Sequence, residues 1–145
     1  YKKLGQTALS LCASRGYLAE FGEPKTLADL INHQWIGMTQ YETPNRLTLM
    51  TKEGKSETVK LQASFSSNSP MGAYALVEND LGVALLADIL ISKRLEEGQL
   101  IPILSQYQSP ILEIYGLFAY SQSIPPKLRV FMDYLIGYFE TNNAK

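Results

Sequence analysis

The sequence predicts an α/β sandwich built on a mixed sheet. Three observations carry that reading. Short strand-like runs alternate with short helix-like runs along the whole chain. The stretch from Ser64 to Ala87 reads in order as loop, helix, tight turn and buried strand. Its last part, Val83-Ala84-Leu85-Leu86, is an unbroken apolar run of the kind that a sheet covers on both faces. At 145 residues, with 46% apolar side chains, the chain can fill the core of one domain or slightly more.

Before the central unit, the elements follow from local chemistry. Thr7–Ala13 is a short apolar run and a strand. Ser14 is an N-cap for a short helix through Tyr17, Leu18 and Phe21, which Gly22 ends. Glu23-Pro24 is a connector. Thr26-Leu27-Ala28-Asp29 fits a capping box with Asp in place of Glu, opening a helix to about Asn32. Gln34–Thr39 is a strand carrying the only tryptophan, Trp35. Residues 40–45 form a polar loop. Arg46–Thr51 alternates, and Lys52-Glu53-Gly54-Lys55 is a hairpin turn. Thr58–Phe65 alternates again, with Val59, Leu61, Ala63 and Phe65 on one face.

In the central unit, Ser69 is the N-cap and Pro70 takes the first helical position, where its missing N–H costs nothing. The helix stops near Glu78–Asp80, and Leu81-Gly82 makes the turn. Downstream, Asp88 caps a helix through Ile91, with Lys93 and Arg94 near its carboxyl end and Gly98 as its stop. Gln99–Leu104 is a strand with an internal proline, hence an edge strand. Residues 105–110 look like linker. Ile111–Tyr120 is a long strand. Ser123-Ile124-Pro125-Pro126 opens the longest helix, to about Glu140. On it Leu128, Phe131, Met132, Leu135, Tyr138 and Phe139 form one apolar stripe that needs a partner surface.

Charge and residue counts exclude several functions. The net charge is −1 and no basic stripe appears, so this chain by itself is a poor nucleic-acid binder. A single cysteine, Cys12, excludes an intrachain disulfide, and its apolar surroundings make it a buried small hydrophobe. No apolar run reaches the roughly 18 residues that span a bilayer, and residues 1–8 lack the apolar core of a signal peptide. Tyr1 begins in mid-phrase, which reads as a fragment. His33 is the only histidine, and no cluster has metal-ligand spacing, so no metal and no cofactor is expected. No Gly-x-Ser-x-Gly elbow surrounds any serine, and Gly54-Lys55-Ser56 lacks the upstream glycine of a phosphate loop. No catalytic residue is assigned.

One site emerges from the residues. A helix amino end fringed by Ser66, Ser67, Asn68 and Ser69 combines free amides, hydroxyls and the positive end of a dipole. That chemistry suits an anion or a polar ligand. The plainer reading is that Ser69 only caps and the serines form a solvated loop.

Several phrases, taken in order, resemble the effector-binding domain of LysR-type transcriptional regulators. Leu9–Leu18 resembles the family's strand followed by Ala-Ser-Pro-x-Tyr-Leu, with Arg15-Gly16 where Pro-Ala is usual. Pro24-Lys25-Thr26-Leu27-Ala28-Asp29-Leu30 followed by His33 resembles Pro-x-Thr-Pro-x-Asp-Leu and its following His. Asn68 and then Ala75–Leu86 resemble the family's Asn, Ala and Gly-Leu-Gly-Ile-Ala-Leu-Leu-Pro, with Asp80 and Ala87 replacing a Gly and a Pro. Leu95–Leu104 resembles Leu-x-x-Gly-x-Leu-x-x-Val-Leu, and Pro126–Leu135 resembles the closing Pro-x-Lys-x-Arg-x-Phe-x-Asp-Phe-Leu. The match covers nearly the whole chain.

The resemblance implies a type II periplasmic-binding-protein-like fold of two α/β subdomains. It assigns about 12–116 to the second subdomain. It assigns 1–11 and 117–145 to crossover segments and a C-terminal helix belonging to the first. It implies a cytoplasmic regulator that senses a small polar or anionic effector in a cleft between subdomains. The site would take in Ser66, Ser67, Asn68, Ser69, Ser14 and Tyr41. It further implies a homo-oligomer with no membrane partner, which reads DNA only through a helix-turn-helix module absent from this chain. The alternative is a fragment of a periplasmic solute-binding protein, the same fold in a transport role.

Overall fold

The structure is a computed structural model and describes residues 1–117 and 124–142. Two compact units divide it. The larger runs Leu9–Pro110, and the smaller combines Tyr1–Ala8 with the described residues from Ile111 on.

The larger unit is organised on a mixed sheet. Strand β1 (Lys2–Ser14) contributes its second half. It runs antiparallel to β6 (Ala84–Ala87), from Leu9↔Ala87 to Cys12↔Ala84, and to β7 (Leu100–Pro102), from Cys12↔Pro102 to Ser14↔Leu100. Strand β2 (Trp35–Met38) pairs in parallel with β5 (Ala63–Ser67). A parallel bridge, Trp35↔Val83, joins these pairs, with Ile36 N–H to Val83 O and Val83 N–H to Gln34 O both at 2.9 Å. The spatial order is therefore β5-β2-β6-β1-β7. The proline-bearing β7 takes an edge, as a strand with a missing donor must.

Alternation along the strands feeds two cores. On one face, Leu11 and Ala13 pack with Tyr17, Leu30, Trp35 and Val83. On the other, Cys12 packs with Ile36, Val77, Ala84, Leu86 and Ile91. Helices α2 (Pro70–Glu78) and α3 (Asp88–Glu96) cover the Cys12 face. The Leu11 face is covered by α1 (Arg15–Phe21), by a 3-10 helix (Leu27–Asn32) and by a separate antiparallel sheet. That sheet has the order β4-β3-β8, from β4 (Ser56–Lys60), β3 (Arg46–Thr51) and β8 (Tyr107–Gln108). Each large apolar side chain fully buried here stabilises the fold by about 1.5–3 kcal/mol relative to exposure. Burial also pushes the Cys12 thiol up to about 12, so it behaves as a small hydrophobe.

Local signals act where expected. Ser14 accepts from Tyr17 N–H at the start of α1, and Gly22 ends that helix at φ 80°. Both halves of the Thr26/Asp29 capping box form, although the helix they open is 3-10 rather than α. The backbone amides of Thr26 and Lys25, then the Thr26 hydroxyl, hold the Asp29 carboxyl below its usual range. Lys93 and Arg94 occupy the last turn of α3. Gly82 is required by close approach: a Cβ there would collide with the Gln34 carbonyl that accepts the Val83 amide.

Four local expectations are corrected. The run 58–65 is not one strand. It breaks after Lys60, and β4 and β5 join different sheets, so Val59 is buried while Phe65 is 37% exposed. Residues 105–110 contain β8, which pairs with β3 at Met50↔Gln108 and Thr51↔Tyr107. Asp88 is the first residue of α3 rather than its cap, and Ala87 at the cap position makes no side-chain bond. Strand β9 (Ile111–Gly116) is shorter than 111–120, whose last residues lie outside the described ones, as does Ser123.

In the smaller unit β9 runs antiparallel to Lys2–Ala8 of β1, with a register shift between Lys3 and Gly5. Helix α4 (Pro126–Asn142) packs there by Phe139, whose Cβ would lie 2.6 Å from a Cβ at Gly5. The apolar stripe divides in two. Met132 is buried and Leu128, Leu135 and Phe139 are half-buried, but Phe131 and Tyr138 face out with Val130 and Tyr134.

Candidate functional site

The amino end of α2 is built by three chain segments. Parallel strands β2 and β5 end side by side, at Met38↔Ser67. Thr39 then fixes the loop: its N–H donates to Ser67 O at 2.9 Å and its hydroxyl to the same oxygen at 3.3 Å. Ser67 folds back on the helix start, donating its hydroxyl to Ser69 O at 2.9 Å and accepting from Ser69 N–H at 3.1 Å. Gly72 makes room for this, since a Cβ there would stand 2.6 Å from Ser67 Oγ. Ser69 caps by accepting from Gly72 N–H across a long 3.5 Å, and its carbonyl accepts the Ala73 amide at 3.0 Å. Pro70 fills the first helical position.

The candidate residues divide into three groups. Ser67 and Ser69 are half-buried and engaged in shaping the loop. Ser66 and Asn68 are exposed, and among the described residues their side chains have no intramolecular partner. Tyr41 sits just beyond β2, 40% exposed, its amide bonded to Met38 O at 3.2 Å. These five residues share the carboxyl edge of parallel strands, where ligands of α/β sheets collect. No charged side chain lies between Ser64 and Tyr74. The electrostatic character of the place comes from amides and the helix dipole, which favour a carboxylate or a polar oxygen.

Ser14 is elsewhere. It lies at the far end of α2, a distance of about 13 Å for a nine-residue helix. Its hydroxyl donates to Asp80 Oδ1 at 2.5 Å and accepts from Tyr17 N–H at 3.1 Å, and it is only 4% exposed. Asp80 adopts φ 63°, a left-handed conformation that Asp tolerates better than most residues. A Cβ at Gly16 would lie 2.7 Å from both carboxylate oxygens of Asp80. The two departures from the family phrases, Gly16 and Asp80, therefore fit each other.

Asp80 is the residue that sequence reasoning missed here, and that paired departure was its signal. Thr39 was missed too, because nothing in a sequence ties a strand end to a loop nearly thirty residues on. His33 is not alone either. The Tyr17 hydroxyl accepts from Gln34 N–H at 2.9 Å, and its hydrogen is left for His33 Nδ1 at 3.1 Å. Burial holds the His33 ring below its ordinary value, against a smaller opposing effect of Asp29.

Comparison with known proteins places this geometry. The family described as the LysR substrate binding domain matches residues 1–140. The HTH-type transcriptional activator AaeR of Escherichia coli is 28% identical over 138 residues, which is 95% of this chain and 44% of that protein. The chain thus spans less than half the length of this curated relative. Full-length AphB, the Vibrio cholerae virulence activator, superposes with a TM-score of 0.79 at 27% identity, covering 95% of this chain and 47% of that one. The regulatory domain of CrgA from Neisseria meningitidis superposes with a TM-score of 0.78 at 28% identity, covering 95% and 67%. The fold is the type II periplasmic-binding-protein-like one, with its mixed sheet. The chain belongs to the LysR substrate-binding domain family.

Proposed function

We propose that this chain is the effector-sensing part of a LysR-type transcriptional regulator. In this reading a small polar or anionic metabolite binds at the amino end of α2, against Ser66, Ser67, Asn68 and Ser69 with Tyr41 beside them. The observation that carries it is the pairing of Ser66 and Asn68, exposed and without an intramolecular partner among the described residues, with a helix start that Ser67 and Ser69 fix in shape. Ser14 contributes indirectly, by fixing the opposite end of the same helix through Asp80. We propose about 12–116 as the second subdomain, with 1–11 and the residues from 117 on belonging to the first; the compact units of the structure divide a few residues away, after Ala8 and after Pro110.

The relatives favour a regulator over a transport receptor, because those named are transcriptional regulators. The same names favour a non-enzymatic, cytoplasmic role. Among the described residues no helix is long and apolar enough to cross a membrane. DNA reading belongs to a module outside this chain, and homo-oligomers transmit the signal. The mechanism is a population shift: the effector binds one arrangement of the oligomer better than the other, by the margin that sets the response.

The test uses the intact regulator and a transcriptional reporter, with a panel of small carboxylates as candidate effectors. Asn68→Ala and Ser69→Ala should each raise the carboxylate concentration needed for half response by roughly tenfold, the loss of one charge-assisted bond. An unchanged response in both variants contradicts the site.

A further inference from the structure

A recess of about 110 Å³ opens on the Leu11 face of the main sheet, the face opposite α2. Its apolar lining comes from Leu9 and Leu11 of β1, Leu49 of β3, Leu85 of β6, and Ile103 and Leu104 after β7. Ser105, Gln108 and Ser109 border it on the exposed side, and Ser10 lines it between Leu9 and Leu11, where its side chain turns to the other face of β1. Among the described residues no Asp, Glu, Lys, Arg or His lines it.

The walls are fixed rather than slack. Leu104 is held at φ 53°, a conformation that a branched apolar residue rarely adopts, while remaining 5% exposed. Its carbonyl accepts the Tyr107 amide at 3.1 Å, closing the turn. The Tyr107 hydroxyl is anchored on Glu57 at 2.5 Å, and the Gln108 amide donates to Thr51 O at 3.0 Å. The strained turn at Leu104 therefore forms a fixed wall of a half-open recess in which apolar side chains meet polar atoms.

We propose that this recess is a second binding site, separate from the amino end of α2, for a small neutral molecule about one ring in size with a hydroxyl or carbonyl group. Volume sets the size: the recess is smaller than the roughly 150 Å³ closed cavity that holds benzene, so it takes at most one ring, whose polar end lies toward the open side. Neutrality follows from the lining: a charge placed here has no counter-charge, and its desolvation is uncompensated. The apolar body packs on the leucines, and the polar end lies toward Ser105 and Ser109 at the exposed side. The site joins β1, β3 and β8, so its occupation ties the second sheet to the main one.

The test titrates cyclohexanol onto the full chain with labelled methyl groups, followed by NMR. Saturable shifts are expected at the methyls of Leu9, Leu11, Leu49, Leu85, Ile103 and Leu104. Cyclohexanecarboxylate should bind there roughly tenfold more weakly or worse. Ser109→Trp, an exposed position at the rim, should remove the shifts without lowering the melting temperature. Leu85→Phe, filling the hollow from β6, should remove them as well. Absence of saturable shifts, shifts centred on Met71 and Ala73, equal binding of the carboxylate, or binding that survives both variants would each overturn the proposal.

Discussion

The two ends of α2 are built from the same materials and do opposite things. The amino end is a capped helix start with small polar residues around it, and two of those, Ser66 and Asn68, are exposed and have no partner among the described residues. The carboxyl end also carries small polar residues, but each is consumed. Asp80 bonds Ser14, Ser14 caps α1, and the Tyr17 hydroxyl is shared between Gln34 and His33. A polar residue next to a helix end is thus no evidence of a binding site until its bonds are counted. The Ser14–Asp80 bond ties the carboxyl end to β1, while the amino end keeps Ser66 and Asn68 exposed.

The largest expected effect breaks the closed end. Tyr17 is fully buried, and Tyr17→Ala removes both its ring and its hydroxyl. A loss of about 3–5 kcal/mol is expected by chemical denaturation, as for other buried aromatics. Tyr17→Phe keeps the ring and isolates the hydroxyl, with an expected cost of about 1–3 kcal/mol for the unpaired Gln34 amide. A cost below that range in both variants would mean that the closed end does not anchor the unit.

A second test separates fit from mere proximity. Gly16→Ala alone should destabilise by about 1–3 kcal/mol, because the new methyl meets the Asp80 carboxylate. In the Asp80→Gly background the same change should be neutral or slightly stabilising, as alanine suits a helix better than glycine. A double-mutant cycle reads the coupling directly, and a coupling near zero refutes the mutual fit.

A smaller effect concerns pH. His33 has a folded pKa held below its ordinary 6.5, chiefly by burial. Its stabilising contribution is therefore present above pH 6.5 and is lost as pH falls from there through the folded value. Melting temperature should decline over that window. His33→Gln should flatten the decline, because it removes the proton but keeps an acceptor for the Tyr17 hydroxyl. An unchanged slope would exclude His33 as its source.

The smallest effects are expected at the open end. Ser69→Ala should cost about 1 kcal/mol as a lost cap, or less given the 3.5 Å bond, while Ser66→Ala and Asn68→Ala should leave stability unchanged. Equal stability losses at all three would make this end structural and not a site.

How much of this was legible in the sequence follows the same divide. Local chemistry was readable: the Ser14 and Ser69 caps, the Thr26/Asp29 box, Gly22 as a stop and the buried run before Ala87 all act as their residue types require. Pairing across distance was not. Thr58–Phe65 alternates throughout, and nothing local marks the point where β4 leaves one sheet and β5 enters another. The two-residue β8 is too short for any periodic signal. Ser14 looked as available as Ser69, because a serine before a helix reads the same whether or not an aspartate from residue 80 reaches it. The grouping of Ser66–Ser69 could be read because those residues are neighbours in sequence. That Tyr41 follows the same strand edge as Ser67 depends on the parallel β2–β5 pair.

The measurement that bears most directly on the central claim is hydrogen exchange of the intact protein, with and without a panel of small carboxylates that raise its melting temperature. The expected result is added protection over residues 66–73, including the amides of Met71, Gly72 and Ala73, with no change over 14–17 and 79–82. Protection gained at the Ser14–Asp80 end, with none at 66–73, would contradict the account.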